Sequence, residues 1–174
     1  MTDLRRTFLA CAEDDYRSLL RCYNEGAVSN QMGVLAQEVC EKYLKHLISE
    51  FVLPRNEAEV AEKKLVLDNE AHSSKALVPF LEEKLGLWLP RDLVEHIESL
   101  DSYFGDSWVP RENDFLLNKD DIARCFMTAT LCRDYALELT EMKLDAVLEI
   151  AKGIAEGHGV KTPSRDGVHW EISG

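Results

Sequence analysis

The sequence predicts an all-α chain, an up-and-down helical bundle of five to six helices with a short C-terminal tail. Three observations predict it. Residues 35–48, LAQEVCEKYLKHLI, place apolar pairs at 35/36, 39/40, 43/44 and 47/48, and at about 100° per residue this keeps a broad apolar face that drifts slowly around a helix. Most other segments repeat the same period, and no alternating strand pattern occurs before the last residues. At 174 residues the chain fits one domain, and a domain of that size buries roughly 70% of its unfolded surface, enough to fold on its own core.

The elements follow in order. Leu4, Phe8, Leu9, Cys11, Ala12, Tyr16, Leu19, Leu20 and Tyr23 outline a first helix capped by Thr2 or Asp3, and Asn24-Glu25-Gly26 turns the chain. The opening stretch then belongs to a helix from about Ala27 to Phe51, ending before Pro54. So short a loop predicts that these two helices lie antiparallel. Between the apolar pairs run two i, i+4 ladders, Gln37/Glu41/Lys45 and Glu38/Lys42/His46, which read as a charged, solvated edge with acids N-terminal to bases. Residues 54–71 are charge-rich with a weak helical pattern and read as a mobile connection, with the look of an insertion carrying a short helix.

Ser73 or Ser74 caps a helix from Lys75 to Leu85, closed by Gly86. Pro90 suits the first turn of a helix through Tyr103. Asn118, with Asp121 three residues on, caps a last helix from Lys119 to about Glu156, with a break expected near Lys143. The bundle domain is drawn at 1–157. Residues 158–174 form a tail, where turn residues precede the alternating Val168, Trp170 and Ile172; a flexible terminus or a small hairpin both fit.

Composition narrows the function classes. A net charge of −12 disfavours unaided nucleic-acid binding, which calls for a clustered basic face. No apolar run reaches membrane-spanning length and MTDLRR has no signal-peptide core, so the expected compartment is the cytoplasm. The five cysteines, Cys11, Cys22, Cys40, Cys125 and Cys132, form no CxxC pair. They read as reduced core thiols rather than as a nucleophile or metal site. No phosphate-binding glycine loop, HExxH, GxSxG or spaced metal-ligand set occurs, so no metal and no cofactor is expected.

Four residues are candidate ligand contacts. His72 precedes a helix start, where its ring can assist capping or meet a ligand. Trp108, Arg111 and Asn113 lie in the interhelical segment FGDSWVPRENDFLL, where an aromatic beside a guanidinium can stack a base and grip a phosphate, or simply anchor the loop. Arg91 and His96 are weak catalytic candidates, since His can move a proton while Arg stabilises a phosphorane. A five-residue offset on a regular helix separates them by about 140°, however.

Taken together, Asp15-Tyr16, the run Gln37-Glu38-Val39-Cys40-Glu41-Lys42-Tyr43-Leu44-Lys45, His72-Ser73-Ser74-Lys75-Ala76-Leu77, and Leu100-Asp101-Ser102-Tyr103-Phe104 before a Pro-containing loop resemble the HEPN domain of bacteria and archaea. The likeness covers about residues 5–140, and its most specific part is the Q-x-x-x-E-K-x-L-K run. It implies a helical bundle, a homodimer and a small nucleotidyltransferase as partner. Some members of that family are ribonuclease toxins, and others are binding or regulatory modules. In the family, an Arg-Tyr-Pro, or in ribonucleases an Arg with a His four to six residues on, follows Leu-Asp-x-Tyr. Here that place reads Ser107-Trp108-Val109-Pro110-Arg111, and the next His is His158. The expected function is therefore a dimeric, non-catalytic module binding a nucleotide, RNA or a partner protein. The alternative is a metal-independent ribonuclease of toxin–antitoxin type using Arg91 and His96.

Overall fold

A computed structural model describes residues 7–68, 73–86, 88–106 and 116–158. Among the described residues the chain forms six helices and no strand: α1 (Phe8–Asn24), α2 (Asn30–Phe51), α3 (Glu57–Leu67), α4 (Ser74–Leu85), α5 (Arg91–Asp106) and α6 (Lys119–His158). The protein is an all-α helical bundle. Two compact units divide the chain, Met1–Ala136 and Leu137–Gly174. The first holds α1 to α5 and the opening turns of α6; the second holds the rest of α6 and residues 159–174, the proposed tail, which lie outside the described residues.

Local signals set most helix ends. α1 is capped by Thr7, whose hydroxyl accepts from the Ala10 amide at 3.1 Å, so the cap is neither Thr2 nor Asp3. Its other end is a Schellman turn: Ala27 N–H bonds to Cys22 O and Gly26 N–H to Tyr23 O. This requires the left-handed backbone of Gly26, at φ 71°. Because Gly26 sits left-handed and Ser29 is extended, α2 starts at Asn30 rather than Ala27. Gly86, at φ 63°, closes α4 in the same conformation. Pro90 stands just ahead of α5, its carbonyl accepting the amide of Val94. At the start of α6, Asn118 and Asp121 form a reciprocal box: Asn118 Oδ1 accepts from the Asp121 amide at 3.0 Å, and Asp121 Oδ2 from the Asn118 amide at 3.0 Å. From there α6 runs unbroken past Lys143.

Residues 54–71 contain an ordered helix rather than a mobile connection alone. Asn56 caps α3 by accepting from the Glu59 amide at 2.9 Å. Lys63 then donates to the carbonyls of Ser49 and Val52 at 2.7 and 2.8 Å. Those carbonyls close α2, so one lysine both caps that helix and ties α3 to it. Glu62 bridges to Lys84 on α4 at 2.9 Å.

The core centres on α2, which packs against α1, α3, α4 and α5 and meets α6 where the Cys132 thiol lies 3.9 Å from the Cys40 carbonyl. Val39, Tyr43, Leu44, Leu47 and Ile48 are all but fully buried. The ladders of α2 are not a solvated edge. Gln37, Glu41, Lys45 and His46 are buried as well, because neighbours enclose this helix on most sides. The chain meets the cost internally: Lys45 Nζ lies 2.7 Å from Glu41 Oε1, and Gln37 Nε2 donates to Glu41 Oε2 at 3.3 Å. Lys42 is half-buried and bonds to Asp15 of α1. Cys40, Cys125 and Cys132 are buried thiols; the hydrogen bond with Cys132 and burial raise the Cys40 pKa, and burial pushes Cys125 up to about 11. Cys40 and Cys125 therefore stay protonated, and all three pack as small hydrophobes.

Leu44→Ala should cost about 2–5 kcal/mol in urea unfolding; a loss under 1 kcal/mol, as roughly expected of exposed positions, would remove Leu44 from the core. Burial lowers the His46 pKa below its ordinary 6.5, with Glu50 opposing. Below 6.5 the unfolded chain therefore binds protons that the folded chain refuses. The stabilisation is complete above 6.5 and is lost as pH falls towards the folded value. Urea midpoints should fall more steeply towards acid in wild type than in His46→Gln. Parallel pH profiles would contradict this.

Candidate functional site

One end of the bundle gathers the segments that the sequence singled out. Asp101, near the end of α5, accepts from the Ser74 amide at 3.0 Å, the Ser74 hydroxyl at 2.9 Å and the Ser73 hydroxyl at 3.2 Å. Ser73 makes no side-chain capping bond of its own. The carboxylate of one helix thus caps the N-terminus of another, where negative charge is favoured. The same carboxylate helps to raise the pKa of Cys40, and α2, which carries the 37–45 run, packs against both α4 and α5.

Two residues along, Tyr103 packs against α2 at Gly33. A Cβ there would meet Leu117 Cδ1 at 2.9 Å and the Tyr103 ring at 3.1 Å, which explains a glycine in the first turn of α2. Asn30 Oδ1 accepts from the Leu117 amide at 2.9 Å, pinning the chain ahead of α6 to the start of α2. Burial raises the Tyr103 pKa, and the Cys125 thiol and Asp121 carboxylate add to it. The phenol therefore stays protonated and can act as a hydrogen-bond donor.

A second polar cluster joins α1, α2 and α6. Glu13 accepts from Tyr43 Oη at 2.5 Å and from Arg133 Nε and NH2 at 2.9 and 3.1 Å. Arg133 also lies 4.9 Å above the Tyr16 ring, and Tyr16 Oη is 2.9 Å from Thr130 Oγ1. Burial alone would raise the Glu13 pKa; the bonds from Arg133 and Tyr43 outweigh it and leave it lowered. Nothing local marks this cluster, whose members are 30 and 120 positions apart. Beside it, Ala10, Cys11, Asp14, Asp15, Arg17 and Lys42 line an open cleft of about 280 Å³. One acid and one base of its lining are engaged with each other, Lys42 with Asp15.

The sequence-predicted residues fare differently. His72, Trp108, Arg111 and Asn113 lie outside the described residues. The described residues that flank them, Ser73, Tyr103 and Leu117, all belong to the bundle end just described. Arg91 opens α5 and is held by Glu82 of α4 through contacts of 2.8 and 2.9 Å to the two carboxylate oxygens. Its guanidinium also lies 5.5 Å from the centre of the Trp88 ring. His96 is exposed one and a half turns along the same regular helix. Arg91 and His96 are not brought together on one face. No group of three or more His, Cys, Asp or Glu among the described residues could hold a metal ion, and no helix there is long and apolar enough to cross a membrane.

Comparison of the chain with models of known families, with curated proteins and with solved structures gave no match.

Asp101→Ala should cost about 1–2 kcal/mol by uncapping α4. Urea unfolding of Asp101→Ala, Ser74→Ala and the double variant should be non-additive, because the two side chains share a bond. Strict additivity would show that Asp101 and Ser74 do not cooperate.

Proposed function

We propose that this chain is a HEPN-like, non-catalytic helical module that acts as a homodimer and binds a nucleotide, RNA or a partner protein such as a small nucleotidyltransferase. The observation that carries the non-catalytic reading is the pairing of Arg91 with Glu82. A guanidinium that must stabilise a phosphorane has to present its charge and N–H groups to phosphate, and here one terminal nitrogen of Arg91 is already taken by a carboxylate whose negative charge stands beside it. His96, at a large angle around the helix, cannot serve the same phosphate without a change in α5. The HEPN reading rests on the sequence resemblance, and the bonding of Ser73-Ser74 to Asp101, with α2 packed on both of their helices, is consistent with it.

The ligand reading places a phosphate on Arg111 and a base on Trp108. With a net charge of −12, such a contact is local and weakens as salt rises.

The ribonuclease alternative is tested by incubating the protein with RNA in chelator. No cleavage is expected; cleavage by wild type that disappears in His96→Ala would replace this reading. Titration of short single-stranded RNA and of ATP at two salt concentrations should show weaker binding by Arg111→Ala, with a shallower salt dependence. Trp108→Ala should lose about 1–3 kcal/mol with little salt dependence. Equal affinities for all three proteins would move the ligand elsewhere.

A further inference from the structure

α3 differs from its neighbours in what holds it. None of its 11 residues is buried, whereas α4, one residue longer, buries five. Val60 and Leu65 of α3 are 54% and 75% exposed. Apolar packing therefore does little to fix this helix, and a helix shorter than about 12 residues is marginal in water by itself.

Polar bonds from two adjacent residues do most of the holding. Lys63 donates to the Ser49 and Val52 carbonyls at the end of α2, at 2.7 and 2.8 Å, and Glu62 lies 2.9 Å from Lys84 Nζ of α4. The N-terminal end is organised locally, with Asn56 Oδ1 accepting from the Glu59 amide and Glu59 Oε2 from the Arg55 amide. Water can replace bonds of this kind at small net cost, whereas the buried side chains of α2 leave the core only when the bundle unfolds. An element with few buried apolar contacts opens at lower free energy than the core beside it.

The opening has a consequence for a cleft of about 230 Å³ between α4 and the chain that leaves α2. Phe80 is part of its apolar lining, and its charged lining balances, Arg55 and Lys84 against Glu59 and Glu83. Two carboxylates at this place come from α3: Glu59 in the lining, and Glu62 on Lys84. Release of α3 withdraws both. Lys84 keeps Glu83 at 3.6 Å and its position 5.5 Å from the centre of the Phe80 ring, so the lining then sets two cations against one carboxylate.

We propose that α3 is a strap latched by Glu62 and Lys63, that it opens as a unit while the rest of the bundle stays folded, and that opening turns the cleft beside Phe80 from charge-balanced to basic.

Hydrogen–deuterium exchange of the full chain, read by mass spectrometry over residues 57–67 and 39–48, tests the opening. Corrected for intrinsic rates, the α3 amides should exchange about a hundredfold faster than those of α2, yet more slowly than an unfolded chain. Low urea should leave the α3 rate unchanged, since local opening exposes little surface. Glu62→Gln should speed exchange in α3 several-fold and Lys63→Met about tenfold, neither altering residues 39–48. Acylation of lysines by an activated ester reads the cleft: in wild type Lys84 should react more slowly than exposed Lys75. Lys63→Met leaves the Glu62–Lys84 pair chemically intact, so faster reaction of Lys84 in that variant requires α3 to move as a unit. Equal protection of α3 and α2 would overturn the separate opening, and exchange of α3 at unfolded-chain rates, or variants that leave it unchanged, would overturn the latch. Faster α3 exchange in Lys63→Met without faster acylation of Lys84 would overturn the change in the cleft.

Discussion

The enclosure of α2 is the constraint on which the rest depends. A helix wrapped by α1, α3, α4, α5 and the start of α6 has little outer edge on which to leave charge in water. Its polar residues must be satisfied inside the fold, because an unpaired buried charge costs several kcal/mol, to order of magnitude. The Gln37–Glu41–Lys45 ladder answers this within the helix itself. Tyr43 and Lys42 answer it outward, reaching Glu13 and Asp15 on α1. Polar pairing thus fixes the rotation of α1 against α2, where apolar packing alone would tolerate slippage.

From that centre the ends of the neighbouring helices are placed by mutual capping. Lys63 of α3 closes α2, Asp101 of α5 opens α4, and Asn30 of α2 holds the chain that leads into α6. Each bond satisfies backbone groups that a helix end would otherwise leave exposed. Because the partner comes from another helix, moving one element unsettles the end of the next. The bundle end with Asp101, Tyr103 and Gly33 is the product of such couplings.

The exposed surface mixes paired cations with apolar side chains. Among the described residues the exposed cations Arg91 and Arg124 are each held by a carboxylate. Large apolar side chains are exposed as well, Leu53, Leu65, Trp88 and Leu116 the most so.

By itself the sequence determined the helices. The apolar period in 35–48, Gly26, Gly86 and the Asn118/Asp121 box are local signals, and the ends that they specify depend on backbone bonds within a few residues. The spacing of Arg91 and His96 was also legible, since a regular helix converts offset into angle. Only the tertiary structure decided which polar residues are buried. Gln37, Glu41 and Lys45 read as a solvated edge because their period is that of any surface ladder, and nothing local records that other helices cover them. The cap of α4 by Asp101, the binding of Arg91 by Glu82 and the Glu13–Tyr43–Arg133 cluster were equally invisible. Each joins residues on different helices, and such partners are chosen by how the helices pack, which a one-dimensional pattern does not encode.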